Sequence, residues 1–129
     1  PVTTHTDPLM QRMLAAGGAV GDVFFFISHT GRTKVLIDVA ELARFSDATI
    51  ISLTAEGSPL ARLSHVSIGL QVSEDTEEYL PMTSRIVQLA VLDVLATGTT
   101  LRRGEKILPH LARIKDSLKS TRAPNDKDS

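Results

Sequence analysis

The residues best equipped for chemistry stand together in one short stretch, Ser28-His29-Thr30-Gly31-Arg32-Thr33. An apolar run, Val23–Ile27, leads into it. After it, Val35, Leu36, Val39, Ala40, Leu42 and Ala43 recur at helical spacing. A strand–turn–helix junction of this kind places hydroxyls beside the first N–H groups of a helix, which have no partners within the helix and carry partial positive charge. Gly31 permits a tight backbone path. Together these features suit an anion, and phosphate is the usual guest. The same residues also suit a plain helix cap, because Ser and Thr hydroxyls accept hydrogen bonds from helix-start amides. Both readings stand at this point. Neither G-x-x-x-x-G-K-[ST] nor G-x-G-x-x-G is present, which disfavours a nucleoside triphosphate or a dinucleotide.

The elements that must position this loop can be read from pattern. Asp7-Pro8 forms a helix start, with Leu9, Met10, Met13 and Leu14 at helical spacing, and Gly17-Gly18 as its end. Val2–His5, Val23–Ile27, Thr49–Leu53 and Val66–Val72 read as strands, the second apolar on both faces as in the centre of a parallel sheet. A helix is expected over about residues 33–45, a short one from Ser58-Pro59, a regular one from Met82 to about Ala96 closed by Gly98, and a last one from Leu101 to about Lys119. Strand and helix alternate, so the fold class is α/β with a mostly parallel, doubly wound sheet flanked by helices. Such sheets usually carry five or more strands, so a first βα unit is expected to be missing from the N-terminal side. That and Pro1 in place of Met read as a fragment.

Open α/β sheets bind ligands beyond the C-terminal ends of their strands. On that rule His5 and Thr6 are candidate pocket-wall residues. Thr54 and Ser58 are pocket wall or, alternatively, turn and N-cap. His29 is a donor to a ligand or an ordinary loop residue, and Arg32 a counter-charge or an exposed helix-start arginine. Arg102-Arg103 reads as a solvated basic face.

Bulk properties narrow the classes. The chain has 129 residues, enough for one domain with a real core. Hydrophobic residues make up 42% and charged residues 22%, as in globular domains. No apolar run has membrane-spanning length. The net charge of -1 gives no overall attraction to nucleic acid. The absence of cysteine excludes disulfides, thiolate catalysis and a cysteine-based zinc site. No metal or cofactor is expected. The composition is read as that of a soluble cytoplasmic protein, with the domain over residues 1–122 and a disordered polar tail over 123–129.

The loop Ser28–Thr33 resembles the S-x-S-G-x-T phosphate loop of SIS (sugar isomerase) domains, with Thr30 in place of the second serine. Thr54 followed by Ser58-Pro59-Leu60-Ala61 is similar to the segment after the next strand of that family. The run Thr83-Ser84-Arg85-Ile86-Val87-Gln88-Leu89-Ala90-Val91-Leu92-Asp93 resembles the long-helix signature of RpiR-type transcription regulators, and the resemblance extends over nearly the whole chain, to about Arg122. It implies an effector-sensing domain that binds a sugar phosphate and does no chemistry on it. In the branch that Pro81–Gly104 resembles, that effector is 2-keto-3-deoxy-6-phosphogluconate, whose binding releases the regulator from DNA.

The resemblance also implies that DNA is bound only by an N-terminal helix-turn-helix domain, absent here, and that the chain forms a homodimer. Leu101, Ile107, Leu108, Leu111, Ile114 and Leu118 form a stripe along the last helix that fits either a dimer or packing within the chain. Glu74, Asp75, Glu77 and Glu78 would repel a phosphate if close, and read as a solvated loop or a lid over the sugar hydroxyls. Arg85 would pair with one of them or with the ligand's carboxylate. SIS domains also occur in aldose–ketose phosphate isomerases. That alternative requires a general base, and His5, His29, His65 and the carboxylates at 74–78 are available, none with an evident orienting partner.

Overall fold

A computed structural model describes residues 2–72, 83–119 and 121. The chain divides into two compact units, residues 1–88 and 89–129.

In the first unit the order is α1 (Pro8–Ala16), β1 (Val23–Ser28), α2 (Lys34–Phe45), β2 (Thr49–Ala55), α3 (Pro59–Leu63) and β3 (Val66–Leu70), and the long helix α4 (Thr83–Arg103) begins here. The starts of α1 and α3 follow the local chemistry of their sequences. Asp7 Oδ1 accepts from the Met10 amide at 2.8 Å, Ser58 Oγ accepts from the Ala61 amide at 3.2 Å, and each cap precedes a proline whose missing N–H costs the first turn nothing.

The three strands are parallel in the order β1-β2-β3. Val23 is paired with Thr49 and Ser28 with Thr54; Ile51 is paired with Val66. Residues paired in this way project to the same face, so Phe24, Phe26 and Ser28 share a face with Ile50, Ser52 and Thr54. That face meets α2 and α3. The core consists of Phe26, Ile50 and Leu60 set against Val39, Ala40 and Ala43 of α2, with Ala15 of α1 and Ala48. The alanines of α2 allow helix and sheet to approach closely. Burying a side chain such as Ile50 or Leu60 stabilises by roughly 1.5–3 kcal/mol. Ser46 Oγ lies 3.0 Å from the Ala15 carbonyl and 3.1 Å from that of Leu42, joining the C-terminal ends of α1 and α2.

Four sequence expectations need correction. Residues 2–5 are not a strand: they are exposed, and the His5 carbonyl accepts from Gln11 Nε2 at 2.8 Å instead of pairing with a neighbouring strand. Val–Thr–Thr–His has β propensity, but a strand needs a partner edge, and among the described residues none pairs with it. The run 23–27 is not central: among the described residues β1 lies at the edge of the sheet, and Val23, Phe25 and Ile27 are exposed on one face. Gly98 does not end its helix. α4 continues to Arg103, with Thr99 and Thr100 hydroxyls donating to the carbonyls of Leu95 and Ala96 at 2.7 and 2.9 Å. A glycine costs only about 0.5–1 kcal/mol inside a helix, too little to stop one whose flanking threonine hydroxyls bond back to its own carbonyls. The stop is Gly104, at φ +56. The last helix therefore starts later than Leu101.

The second unit comprises the C-terminal part of α4, a 3-10 turn Gly104–Ile107 and α5 (Leu108–Lys119). Leu101, Leu108, Leu111, Ile114 and Leu118 are exposed on it. Packing within the unit does not account for the stripe. The expected tail over 123–129 lies outside the described residues, as do Glu74, Asp75, Glu77 and Glu78. No helix among the described residues is long and apolar enough to cross a membrane.

Candidate functional site

β1 delivers Ser28 to the C-terminal edge of the sheet, and the chain turns there into α2. Ser28 is 8% exposed, and its Oγ accepts from the Gly31 amide at 3.1 Å. A hydroxyl has one donor proton and two acceptor sites. The Gly31 bond uses one acceptor site, so the Ser28 proton remains available to a ligand. Thr30 is exposed, and its Oγ1 accepts from the Arg32 amide at 3.3 Å. Gly31 is buried at φ +62, the left-handed region that a side chain disfavours. Space excludes a side chain there too: a Cβ on Gly31 would sit 2.1 Å from Ser58 Oγ and 2.5 Å from Thr54 Oγ1.

The plain-cap reading of this loop makes a specific demand on Thr33: its hydroxyl should accept from an amide of the first turn of α2. Thr33 occupies the N-cap position in extended backbone, φ −64 and ψ 110, yet its side chain makes no capping bond, and α2 has no acidic residue in its first turn. The positive end of this 12-residue helix therefore carries no side-chain acceptor of its own. α3 shows the contrast, since Ser58 caps it as the turn-and-cap reading expects.

Two backbone hydrogen bonds tie the loop to β2 and α3. The Ala55 amide donates to the His29 carbonyl at 3.2 Å, and the Leu60 amide donates to the Gly31 carbonyl at 3.1 Å. The β1–α2 connection is thus hydrogen-bonded at two points to the residues on either side of the β2–α3 connection. Thr54, paired in register with Ser28, is fully buried, and its Oγ1 has no hydrogen-bond partner among the described residues. Sequence reasoning named Thr54 without reaching that state, which depends on strand register and has no local signal.

The remaining candidates separate from this cluster. Arg32 and Thr33 are exposed at the head of α2, and His29 is half-buried. His5 and Thr6 are exposed on the connection into α1. The reason for choosing them, a place after a strand, does not hold. Arg85 is exposed in the first turn of α4, and its proposed carboxylate partners lie outside the described residues. His65 precedes β3, at the opposite end of the strands from the loop. Its Nδ1 accepts from the Ile50 amide at 2.9 Å while its own amide donates to the Ile50 carbonyl at 2.9 Å, so it serves the sheet. Among the described residues no group of three or more His, Asp or Glu could hold a metal ion.

Comparison with known proteins places this geometry. The family model for the SIS domain matches residues 4–98. The chain is 57% identical over 128 residues to the HTH-type transcriptional regulator HexR of Pseudomonas aeruginosa, covering 99% of the chain and 45% of that protein. It is 52% identical over 122 residues to HexR of Escherichia coli, covering 95% of the chain and 42% of that protein. The Vibrio vulnificus NanR protein, solved in complex with ManNAc-6P, matches with a TM-score of 0.80 and 26% identity over 93% of this chain and 46% of that one. The chain thus spans less than half the length of these regulators, and it belongs to the SIS domain family.

Proposed function

We propose that the chain is the effector-sensing domain of a DNA-binding transcription regulator of sugar catabolism. It binds a sugar phosphate at the head of α2, 2-keto-3-deoxy-6-phosphogluconate being the effector, and binding releases the regulator from DNA. The observation that carries this reading is the open positive end of α2, uncapped by Thr33 and flanked by the buried Ser28 hydroxyl. In it, the phosphate sits on the first amides of α2 and accepts from Ser28, with Thr30 and Thr33 as further donors and Arg32 and His29 beside it; His5, Thr6 and Arg85 are left to the far side of the sugar.

Two comparisons support it. NanR, which shares the fold, was solved with a sugar phosphate bound. The relatives at 57% and 52% identity are named as regulators, which favours sensing over isomerisation. In this reading DNA is contacted by a helix-turn-helix domain outside the chain, the regulator is cytoplasmic, and two copies associate through the exposed stripe of α5. Residues 1–122 form the sensing domain and 123–129 a polar tail.

The test is calorimetric titration of the full-length protein with 2-keto-3-deoxy-6-phosphogluconate, ManNAc-6P and other sugar phosphates, beside a gel shift on its operator. Binding of the named sugar with loss of the DNA complex is expected. Binding of none of the panel overturns the sensor reading; preference for another sugar overturns only the choice of effector.

A further inference from the structure

We infer that Thr54 is a positioning residue for the anion site, its hydroxyl donating to Ser28 Oγ when the anion is bound. The inference rests on the sensor reading above and adds a residue to its machinery. Thr54 Oγ1 is fully buried and has no partner among the described residues. Buried hydroxyls are almost always satisfied, because an unpaired one loses its bonds to water and gains nothing in return. Nothing in the packing of β2 requires a hydroxyl at this place: valine has the same shape and would leave no orphan. The hydroxyl is therefore an unused group at the back of the loop that carries the site.

Its surroundings indicate its use. Ser28 and Thr54 are register partners on neighbouring parallel strands and project to the same face, under the Gly31 turn. Neighbouring strands run about 4.8 Å apart, so a change of rotamer at either side chain can bring the hydroxyls together. Ser28 has capacity for one more bond. One acceptor site of its Oγ is taken by the Gly31 amide, and its proton goes to the phosphate, which leaves the second acceptor site. On this face of the sheet Thr54 offers such a donor, its hydroxyl having no partner among the described residues. Being fully buried, it cannot touch the ligand itself; it acts through Ser28. The resulting chain runs from the Thr54 proton to Ser28 Oγ, and from the Ser28 proton to a phosphate oxygen. No proton changes hands. Each bond in such a chain polarises the next, so Ser28 becomes a better donor to a dianion than it is alone.

This arrangement gives Thr54→Val two effects of opposite sign. Removing an orphan stabilises the empty protein, and removing the back-bond weakens binding. The experiment is titration of inorganic phosphate and 2-keto-3-deoxy-6-phosphogluconate into full-length wild type, Thr54→Val, Thr54→Ser, Ser28→Ala and the Ser28→Ala, Thr54→Val double variant, with a thermal melt of each without ligand. Thr54→Val should melt higher than wild type and bind about 3- to 10-fold more weakly, a loss of roughly 0.6–1.4 kcal/mol. Thr54→Ser should restore affinity. In the Ser28→Ala background Thr54→Val should cause no further loss, because the group through which it acts is gone. Undiminished affinity of Thr54→Val, or a loss that adds fully to that of Ser28→Ala, overturns the role of Thr54 while leaving the anion site standing. A wild type that binds neither probe overturns the site itself and the inference with it.

Discussion

Ser28→Ala separates an anion site from a helix cap more sharply than any other single change. In the proposed site the side chain has two duties. Inside the fold its Oγ accepts from the Gly31 amide at 3.1 Å, a neutral bond whose net worth is about 0.5–1.5 kcal/mol. Toward the ligand it donates to a phosphate that carries about -1.5 to -2 charges near pH 7, and a bond to a charged group is worth about 1.5–3 kcal/mol. Alanine removes both and changes little volume at a position only 8% exposed. The expected stability loss is about 1 kcal/mol, a fall in melting temperature of about 4 °C for a domain of this size. The expected affinity loss is about 10- to 150-fold. The assays are calorimetric titration of the full-length variant with the sugar phosphate, a melt, and a gel shift with and without ligand. Weakened binding at near-normal stability, with DNA no longer released at ligand concentrations that suffice for wild type, is the predicted outcome. Wild-type affinity would refute the reasoning and make the loop a plain cap. A collapse in melting temperature would show that Ser28 is structural.

Gly31→Ala should destabilise the fold more than Ser28→Ala does, by about 2 kcal/mol or more, because it forces a side chain into φ +62 and sets a Cβ 2.1 Å from Ser58 Oγ; a melting temperature unchanged from wild type would show that the turn is not held as described. Ile114→Asp combined with Leu118→Asp, on the exposed stripe of α5, should shift the full-length protein from dimer to monomer in sedimentation with little change in melting temperature. A dimer that survives both charges would place the interface elsewhere. The full-length protein should not interconvert aldose and ketose phosphates above background, and measurable turnover would restore the isomerase reading.

Features encoded by neighbours in the chain are legible in the sequence. Asp7-Pro8 and Ser58-Pro59 start helices because a cap needs only the three or four residues beside it. The α/β alternation follows from apolar spacing, and the Ser28–Thr33 junction from hydroxyls and a glycine set between a strand and a helix. Where the outcome depends on distant residues, the same reasoning stops short. Val2–His5 has strand composition and is not a strand, since β structure exists only with a partner edge. Gly98 reads as a helix end and Gly104 is the end, because a glycine's effect depends on whether the chain adopts positive φ there.

The site shows the same division. Its residue types can be read from one short segment, but its openness cannot. Whether Thr33 caps α2 or leaves the helix end free is a matter of backbone and side-chain angles that Thr permits either way. Sequence alone puts Thr54 after a strand. Only the parallel register sets it beside Ser28, and only the packing of Gly31 and α3 over it removes the water that would otherwise satisfy its hydroxyl. Local chemistry determined which groups the loop could offer. The tertiary structure decided which of them stay unpaired, because burial and pairing are made by residues far apart in the chain.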